Sequence, residues 1–240
     1  MTKLNNPLPT HEHHANLLKR FNARWPAWVA LLIVAILYEA LPSMFYWGPR
    51  GLMISLVVIL TVPMIIAFWR SNSHMARYFS LSVNILVTLY MVMSIIRLII
   101  AMLQGHIGPE HLLTSALALW SVNILIFALW YWNLDGGGPG HREKRSGNRI
   151  TAFLFPQAQI SMLQEHELPD SIKYWQPHFI DYLFLAFNTS TAFSPTDTPV
   201  ISRWAKGISM IQAIISLTVI VMLAARAVNI LNPTANYLVS

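Results

Sequence analysis

The residues with the clearest chemical potential lie near the C-terminus, after a short apolar segment. They are three consecutive hydroxyl side chains, a fourth hydroxyl and one carboxylate: Thr189, Ser190, Thr191, Ser194 and Asp197. Hydroxyl and carboxylate oxygens can replace part of the hydration shell of a cation. Pro195 and Pro199 interrupt a helix at this point. The residue types therefore predict a break in the backbone that is lined by oxygen atoms.

A second candidate pair consists of opposite charges inside apolar segments. Glu39 and Arg97 each lie eight residues before the expected end of a span, at Trp47 and Gly105. Eight residues correspond to about 12 Å along a helix, so both side chains are expected at one depth. Because an unpaired charge in lipid is costly, we predict an intramembrane ion pair between them. A static tie between two helices is the main interpretation, and a proton or ion path is the alternative.

Other groupings give weaker signals. Residues 11–14 contain three histidines and a glutamate, which are possible metal ligands, but nothing in this polar tail orients the rings. The sequence has no Gly-rich phosphate loop, no His-Glu-x-x-His pair and no Gly-x-Ser-x-Gly elbow. We expect no metal site, no cofactor, no catalytic residues and no enzymatic activity.

The composition indicates whether water or lipid surrounds the protein. Of the 240 residues, 55% are hydrophobic and only 11% are charged, whereas a soluble domain carries about a quarter charged residues. We therefore expect an integral membrane protein in contact with the lipid bilayer. Cysteine is absent, which excludes disulfides and thiolate sites. The net charge of +6 comes from residues in loops, so nucleic-acid binding is not expected.

Long apolar runs predict an all-α polytopic transmembrane helix bundle. Five runs are long enough to cross a bilayer: residues 28–47, 52–69, 79–103, 112–134 and 208–231. Residues 179–194 are shorter and more polar, and we expect a re-entrant or short half-helix there, with a full crossing as the alternative.

These elements divide the chain into four regions. They are a cytoplasmic polar N-terminal tail (1–27), a four-helix transmembrane domain (28–134), a polar basic linker (135–177), and a unit of half-helix, loop and last helix (178–240).

The distribution of Lys and Arg predicts the orientation. The loops on the side of the N-terminus and the linker hold 11 of these residues, and the opposite loops hold 1. The positive-inside rule therefore predicts a cytoplasmic N-terminus. With the C-terminal residues added, the counts become 13 and 2 if residues 179–194 re-enter, and 12 and 3 if they cross. The rule slightly favours re-entrance.

Residues 181–231 resemble the pore module of the potassium-channel superfamily, whose pore helix and filter read roughly Phe-x-Thr-x-Thr-Thr-Val-Gly-Tyr-Gly-Asp before an inner helix. Phe187, Thr189, Thr191 and Asp197 match this pattern without a gap. The resemblance implies a pore helix, a loop that contacts the ion and a gate-forming last helix. Residues 192–196 contain no glycine, so potassium selectivity by the family's carbonyl filter is not implied.

The whole chain resembles a family of bacterial integral membrane proteins that has no established activity. The resemblance rests on residues 127–132, on the Gly-Gly-Gly-Pro turn that begins at Gly136, and on residues 191–198 and 224–231. It implies a multi-pass protein of the bacterial inner membrane.

Together these observations predict a channel-like homo-oligomer that conducts a monovalent cation through its C-terminal unit. A non-conducting membrane protein, in which residues 191–198 form a structural cap or a partner-docking loop, is the alternative. A small-molecule transporter is a third possibility.

Overall fold

The described part of the chain is helical. The computed structural model describes residues 9–45, 48–70, 73–104, 108–142, 151–163, 169, 175–191 and 197–231. The helices are α1 (Pro9–Glu39), α2 (Leu52–Trp69), α3 (Ser73–Gln104), α4 (Pro109–Leu134), α5 (Pro139–Arg142), α6 (Pro156–Leu163), α7 (Phe179–Thr191) and α8 (Arg203–Leu231). No strand occurs within these ranges, so the all-α class is confirmed.

Four helical stretches are long and apolar enough to cross a membrane. They are Leu52–Trp69, His74–Gln104, Glu110–Arg142 and Arg203–Ala225. They correspond to α2, α3, α4 with the turn after it, and α8, which are four of the five expected spans. The chain thus has the helices of a multi-pass membrane protein.

The first expected span ends early. Helix α1 ends at Glu39 rather than at Trp47, because Pro42 has no N–H to donate and disfavours helical backbone at the residue before it. The N–H of Phe45 instead donates to the carbonyl of Pro42 at 2.9 Å. At its other end α1 begins at Pro9, so part of the expected N-terminal tail is helical.

Helix α4 lies at the centre of the bundle. In its most apolar stretch 61% of residues are buried, compared with 22% to 28% in the other three membrane-capable helices. It packs against α1, α3, α7 and α8. Helix α4 is therefore the shared neighbour of these four helices, whereas α2 packs against α1 and α3.

The contacts along α4 give the direction of α8. Near the end of α4, the hydroxyl of Tyr131 bonds to that of Ser209, close to the start of α8. Asn123, two turns earlier, bonds to Ser216. The two helices are therefore antiparallel, and we call the end at which α4 stops and α8 starts the linker end of the bundle.

A part of the expected linker is packed into the bundle at this end. Ala152, Phe153 and Phe155 are buried, and Phe153 forms an antiparallel bridge with Val200. The Leu154 N–H donates to the Pro199 carbonyl at 3.0 Å, and the Ile201 N–H donates to the Ala152 carbonyl at 2.8 Å. The polar linker thus supplies core residues as well as a connection.

Glycines allow α4 to end where it does. Gly136, Gly137 and Gly138 all have positive φ, and φ of Gly138 is 92°. A Cβ atom on Gly138 would lie 2.9 Å from the carbonyl oxygen of Asn133. Position 138 therefore accepts no other residue without a shift of the backbone.

We expect Gly138→Ala to destabilise the protein by more than about 1 kcal/mol, because it adds both strain at positive φ and a steric overlap. Gly207→Ala is the control, since Gly207 lies within α8 with nothing inside 4 Å of its added Cβ. That change should be neutral or stabilising. Thermal unfolding in detergent measures the stability of both variants. Equal changes in stability would contradict the requirement for glycine at position 138.

Candidate functional site

Helix α7 starts at the linker end of the bundle, and Val200 lies at that same end. The Phe179 ring lies 6.1 Å from that of Trp132, and the Phe187 ring lies 6.2 Å from that of Trp120. Helix α7 therefore runs antiparallel to α4, into the bundle. Val200 is back at the linker end, where it forms the bridge to Phe153.

Helix α7 is short. Its 13 residues span about 20 Å, whereas the hydrocarbon core of a bilayer is about 30 Å thick. At its start the His178 N–H donates to Oδ2 of Asp181 at 2.7 Å. Burial raises the pKa of the Asp181 carboxyl, and this hydrogen bond partly offsets the shift.

The predicted pore-lining residues have different surroundings. The Thr189 hydroxyl donates to the Leu185 carbonyl at 2.8 Å, and the Thr191 hydroxyl donates to the Phe187 carbonyl at 3.2 Å. Both are half-buried, whereas Ser190 is buried and Asp197 is exposed. Ser194 lies outside the described residues. The four described residues therefore do not share one surface.

Ser190 belongs to a buried cluster centred on Gln212, which we call the Gln212 cluster. The Gln212 amide group donates to Oγ of Ser190 at 2.8 Å and to the carbonyl of Ala186 at 2.7 Å. Its Oε1 accepts from the Tyr131 hydroxyl at 2.5 Å. This single side chain therefore holds α7, α8 and α4 together.

A second buried cluster, the Asp135 cluster, lies at the linker end. Asp135 is fully buried. Its Oδ1 accepts from the Ala152 N–H at 2.7 Å, and its Oδ2 accepts from the Tyr182 hydroxyl at 2.5 Å. The carboxylate thus joins the end of α4 to the linker segment and to the first turns of α7.

Arg142 supplies positive charge to the Asp135 cluster. Its Nη1 donates to the main-chain carbonyls of Trp132 and Asp135 at 2.9 Å and 2.5 Å. Its guanidinium carbon lies 5.2 Å from the centroid of the Tyr182 ring. The guanidinium therefore binds two main-chain carbonyls at the end of α4, of which that of Asp135 also accepts from the Gly138 N–H, and it lies over an aromatic face.

Deeper in the bundle the polar atoms are less completely paired. The Asn123 amide donates to Oγ of Ser216 at 2.6 Å. Within the described residues, Asn123 Oδ1, Ser115 Oγ and Trp120 Nε1 are buried without a hydrogen-bond partner. Buried polar atoms of this kind are typical positions for internal water. Buried polar side chains therefore extend along α4 beyond the Gln212 cluster.

The charges of the predicted ion pair lie near the opposite end of the bundle. Both carboxylate oxygens of Glu39 accept from the Gly51 N–H, at 2.9 and 3.0 Å. Arg97 Nη1 lies 3.5 Å from the Met44 carbonyl oxygen. Glu39 is thus at the end of α1 rather than deep inside a longer helix, and its pairing with Arg97 stays a prediction.

Several residues of these clusters were not singled out from the sequence. Ser209, Gln212 and Ser216 are spaced i, i+3 and i+7 on a mostly apolar helix. This spacing places them on one face and indicates a polar stripe that packs against other helices. Asp135 and Arg142 flank the glycine turn, where their charges resemble ordinary loop charges. Only the packing of the linker segment shows that they are buried.

Comparisons with protein-family models, with curated proteins and with solved structures found no match to this chain.

We expect Asp135→Ala to destabilise the protein strongly, because it leaves the Ala152 N–H and the Tyr182 hydroxyl buried without an acceptor, at about 1–3 kcal/mol each. Tyr182→Phe should cost less, since it removes a single donor. Asp181→Ala is the control and should cost under about 1 kcal/mol, as its partner N–H is exposed. Thermal unfolding in detergent would rank the three, and an equal cost for Asp135 and Asp181 would contradict the cluster.

Gln212→Leu should destabilise the contact of α7 with α8 by about 1–2 kcal/mol, since polar contacts between membrane helices contribute amounts of this order. Thr218→Val is the matched control, because its hydroxyl bonds only to Ile214 of the same helix. Limited proteolysis between α7 and α8 should accelerate in the first variant alone. Unchanged proteolysis would show that Gln212 does not hold α7.

Proposed function

We propose that the chain is a channel-like protein of the bacterial inner membrane, in which α7, the residues after it and α8 form the path of a monovalent cation. The observation that carries this proposal is that the short helix α7 runs into the bundle from the linker end, while Val200 lies at that same end. A half-helix that ends in hydroxyl groups within a bundle is the arrangement expected of a re-entrant pore segment.

The proposed span count is five crossing helices, with α1 as the fifth, and α7 as a re-entrant half-helix. Two observations support this count: α7 is short, and α8 packs antiparallel to α4. Irregular backbone is tolerated at membrane depth only where protein or water satisfies it. Gln212 and Tyr131 offer such polar partners beside the end of α7.

The proposed orientation places the linker end in the cytoplasm. Among the described side chains, those at this end include six basic residues: Arg24, Arg70, Arg77, Arg142, Arg203 and Lys206. Arg50 lies at the opposite end, in the turn before α2, and Arg97 of α3 lies near that end. This asymmetry follows the positive-inside rule, and it leads to an N-terminus in the cytoplasm.

Thr189, Thr191, Ser194 and Asp197 are the residues we assign to the ion path. We assign Ser190 to the positioning of α7, because its hydroxyl oxygen accepts a hydrogen bond from Gln212. Helices α7 and α8 also expose apolar side chains on their outer faces, including Phe184 and Ile214 at 61% and 63% exposure. Such a surface suits lipid or a second copy of the chain, as a homo-oligomeric pore would require.

One observation favours a non-conducting protein as the second candidate. The hydroxyls of Thr189 and Thr191 are engaged with carbonyls of their own helix, and Ser190 is engaged with Gln212. In this alternative the hydroxyl-rich stretch only stabilises the end of α7, and the exposed Asp197 belongs to a partner-docking loop.

The test is cation flux in liposomes that contain the purified protein. Asp197→Asn should lower the flux or the preference for cations over anions several-fold, because it removes the carboxylate assigned to the path. Glu110→Gln is the control: it removes an exposed carboxylate at the opposite end of α4 and should leave the flux unchanged. Thr189→Val and Thr218→Val form a second pair, and only the first should alter flux.

Normal folding of Asp197→Asn with unchanged flux would favour the second candidate. The absence of flux in wild-type liposomes, with monomers both in detergent and in lipid, would exclude the pore.

A further inference from the structure

A narrow open cleft, with about 50 Å³ of space for a bound group, lies at the linker end, on the side of the bundle away from α8. It lies between α1, the end of α2, the start of α3 and the glycine turn after α4. None of its lining residues belongs to the proposed ion path.

The polar part of the cleft is cationic. Arg24 and Arg77 line it from α1 and α3, together with Ser80 and Asn133, and the described residues of its lining include no carboxylate. Arg24 is buried, and its guanidinium carbon lies 4.7 Å from the centroid of the Phe68 ring. The Ser80 hydroxyl donates to Oδ1 of Asn133 at 2.9 Å, which directs the amide donors of Asn133 away from Ser80. Two guanidinium groups and an amide are donors that suit a phosphate group.

The remainder of the lining is apolar. Trp28, Met64, Phe68 and Trp132 form most of the wall, and the rings of Trp28 and Phe68 meet edge to face at 5.8 Å. A small inorganic anion would leave this wall uncovered. A ligand with both a phosphate and a hydrocarbon part would use the whole cleft.

Exposed aromatic residues indicate the depth of the cleft. Trp25, Trp69 and Tyr78 are 47%, 60% and 72% exposed, and each is adjacent or nearly adjacent in sequence to a lining residue of the cleft. Exposed Trp and Tyr mark the headgroup region of membrane proteins. At that depth the available phosphate is the headgroup of a phospholipid, with its acyl chains on the membrane side.

We propose that this cleft binds an anionic phospholipid, with the headgroup phosphate at Arg24 and Arg77 and an acyl chain against Met64 and Phe68. Basic pockets between membrane helices are the usual sites for such headgroups. Because the site joins α1, α2, α3 and α4, the lipid would tie the first four helices together independently of the C-terminal unit.

The experiment measures lipid binding by native mass spectrometry and thermal stabilisation of the delipidated protein in detergent. Phosphatidylglycerol should stabilise the wild-type protein, whereas phosphatidylcholine and inorganic phosphate should not. Arg77→Gln should lower the affinity for phosphatidylglycerol at least about fivefold, the size of effect expected for one charge-assisted contact. Arg203→Gln, at the same end but outside the cleft, should bind as the wild type does.

Ala76→Leu is a second variant that keeps every charge. It narrows the cleft and should also weaken binding. Equal stabilisation by phosphatidylcholine, or by inorganic phosphate, would overturn the proposal. So would equal losses in Arg77→Gln and Arg203→Gln, which would indicate diffuse attraction to a basic surface. These outcomes test lipid binding by α1 to α4. They do not depend on whether the C-terminal unit conducts ions.

Discussion

The arrangement of the C-terminal half of the molecule depends on the hydrogen bonds that the buried carboxylate of Asp135 accepts. This carboxylate accepts a main-chain N–H from the linker segment and a hydroxyl from α7. The same segment then bonds to the residues just before α8. One side chain at the end of α4 is therefore linked directly to α7 and, through the linker segment, to the start of α8.

That arrangement reflects a constraint of low-dielectric surroundings. Outer faces of the membrane-capable helices carry Ile, Leu, Val and Met side chains, whereas Asn123, Ser190, Gln212 and Ser216 of α4, α7 and α8 are buried. Inside, a donor without an acceptor is costly, so the polar groups pair across helices. Gln212 bonds to two other helices for this reason.

The two proposals use different parts of this architecture. The ion path belongs to the C-terminal unit, which lies on one side of α4. The lipid cleft belongs to α1, α2, α3 and the glycine turn, on another side. The turn after α4 connects them, because Asp135 at its start bonds to the linker segment and Gly138 at its end lines the cleft.

Much of the helix arrangement could be predicted from the sequence. The expected spans 52–69 and 112–134 agree closely with α2 and α4, because a long apolar run has few alternatives to a membrane helix. The early end of α1 was harder to predict. Pro42 disfavours helical backbone at the residue before it, and in the turn that follows the Glu39 carboxylate accepts a hydrogen bond from the Gly51 N–H.

Composition and local periodicity are enough to indicate the lipid surroundings, the helical class and the residue types available for chemistry. Which polar groups meet depends on the packing of the helices. Ser190 is next to Thr189 in the chain, yet it faces Gln212 while Thr189 bonds back to its own helix. Asp135 has the sequence surroundings of a loop charge and is nevertheless fully buried. Both outcomes depend on contacts between residues far apart in sequence, which local pattern does not contain.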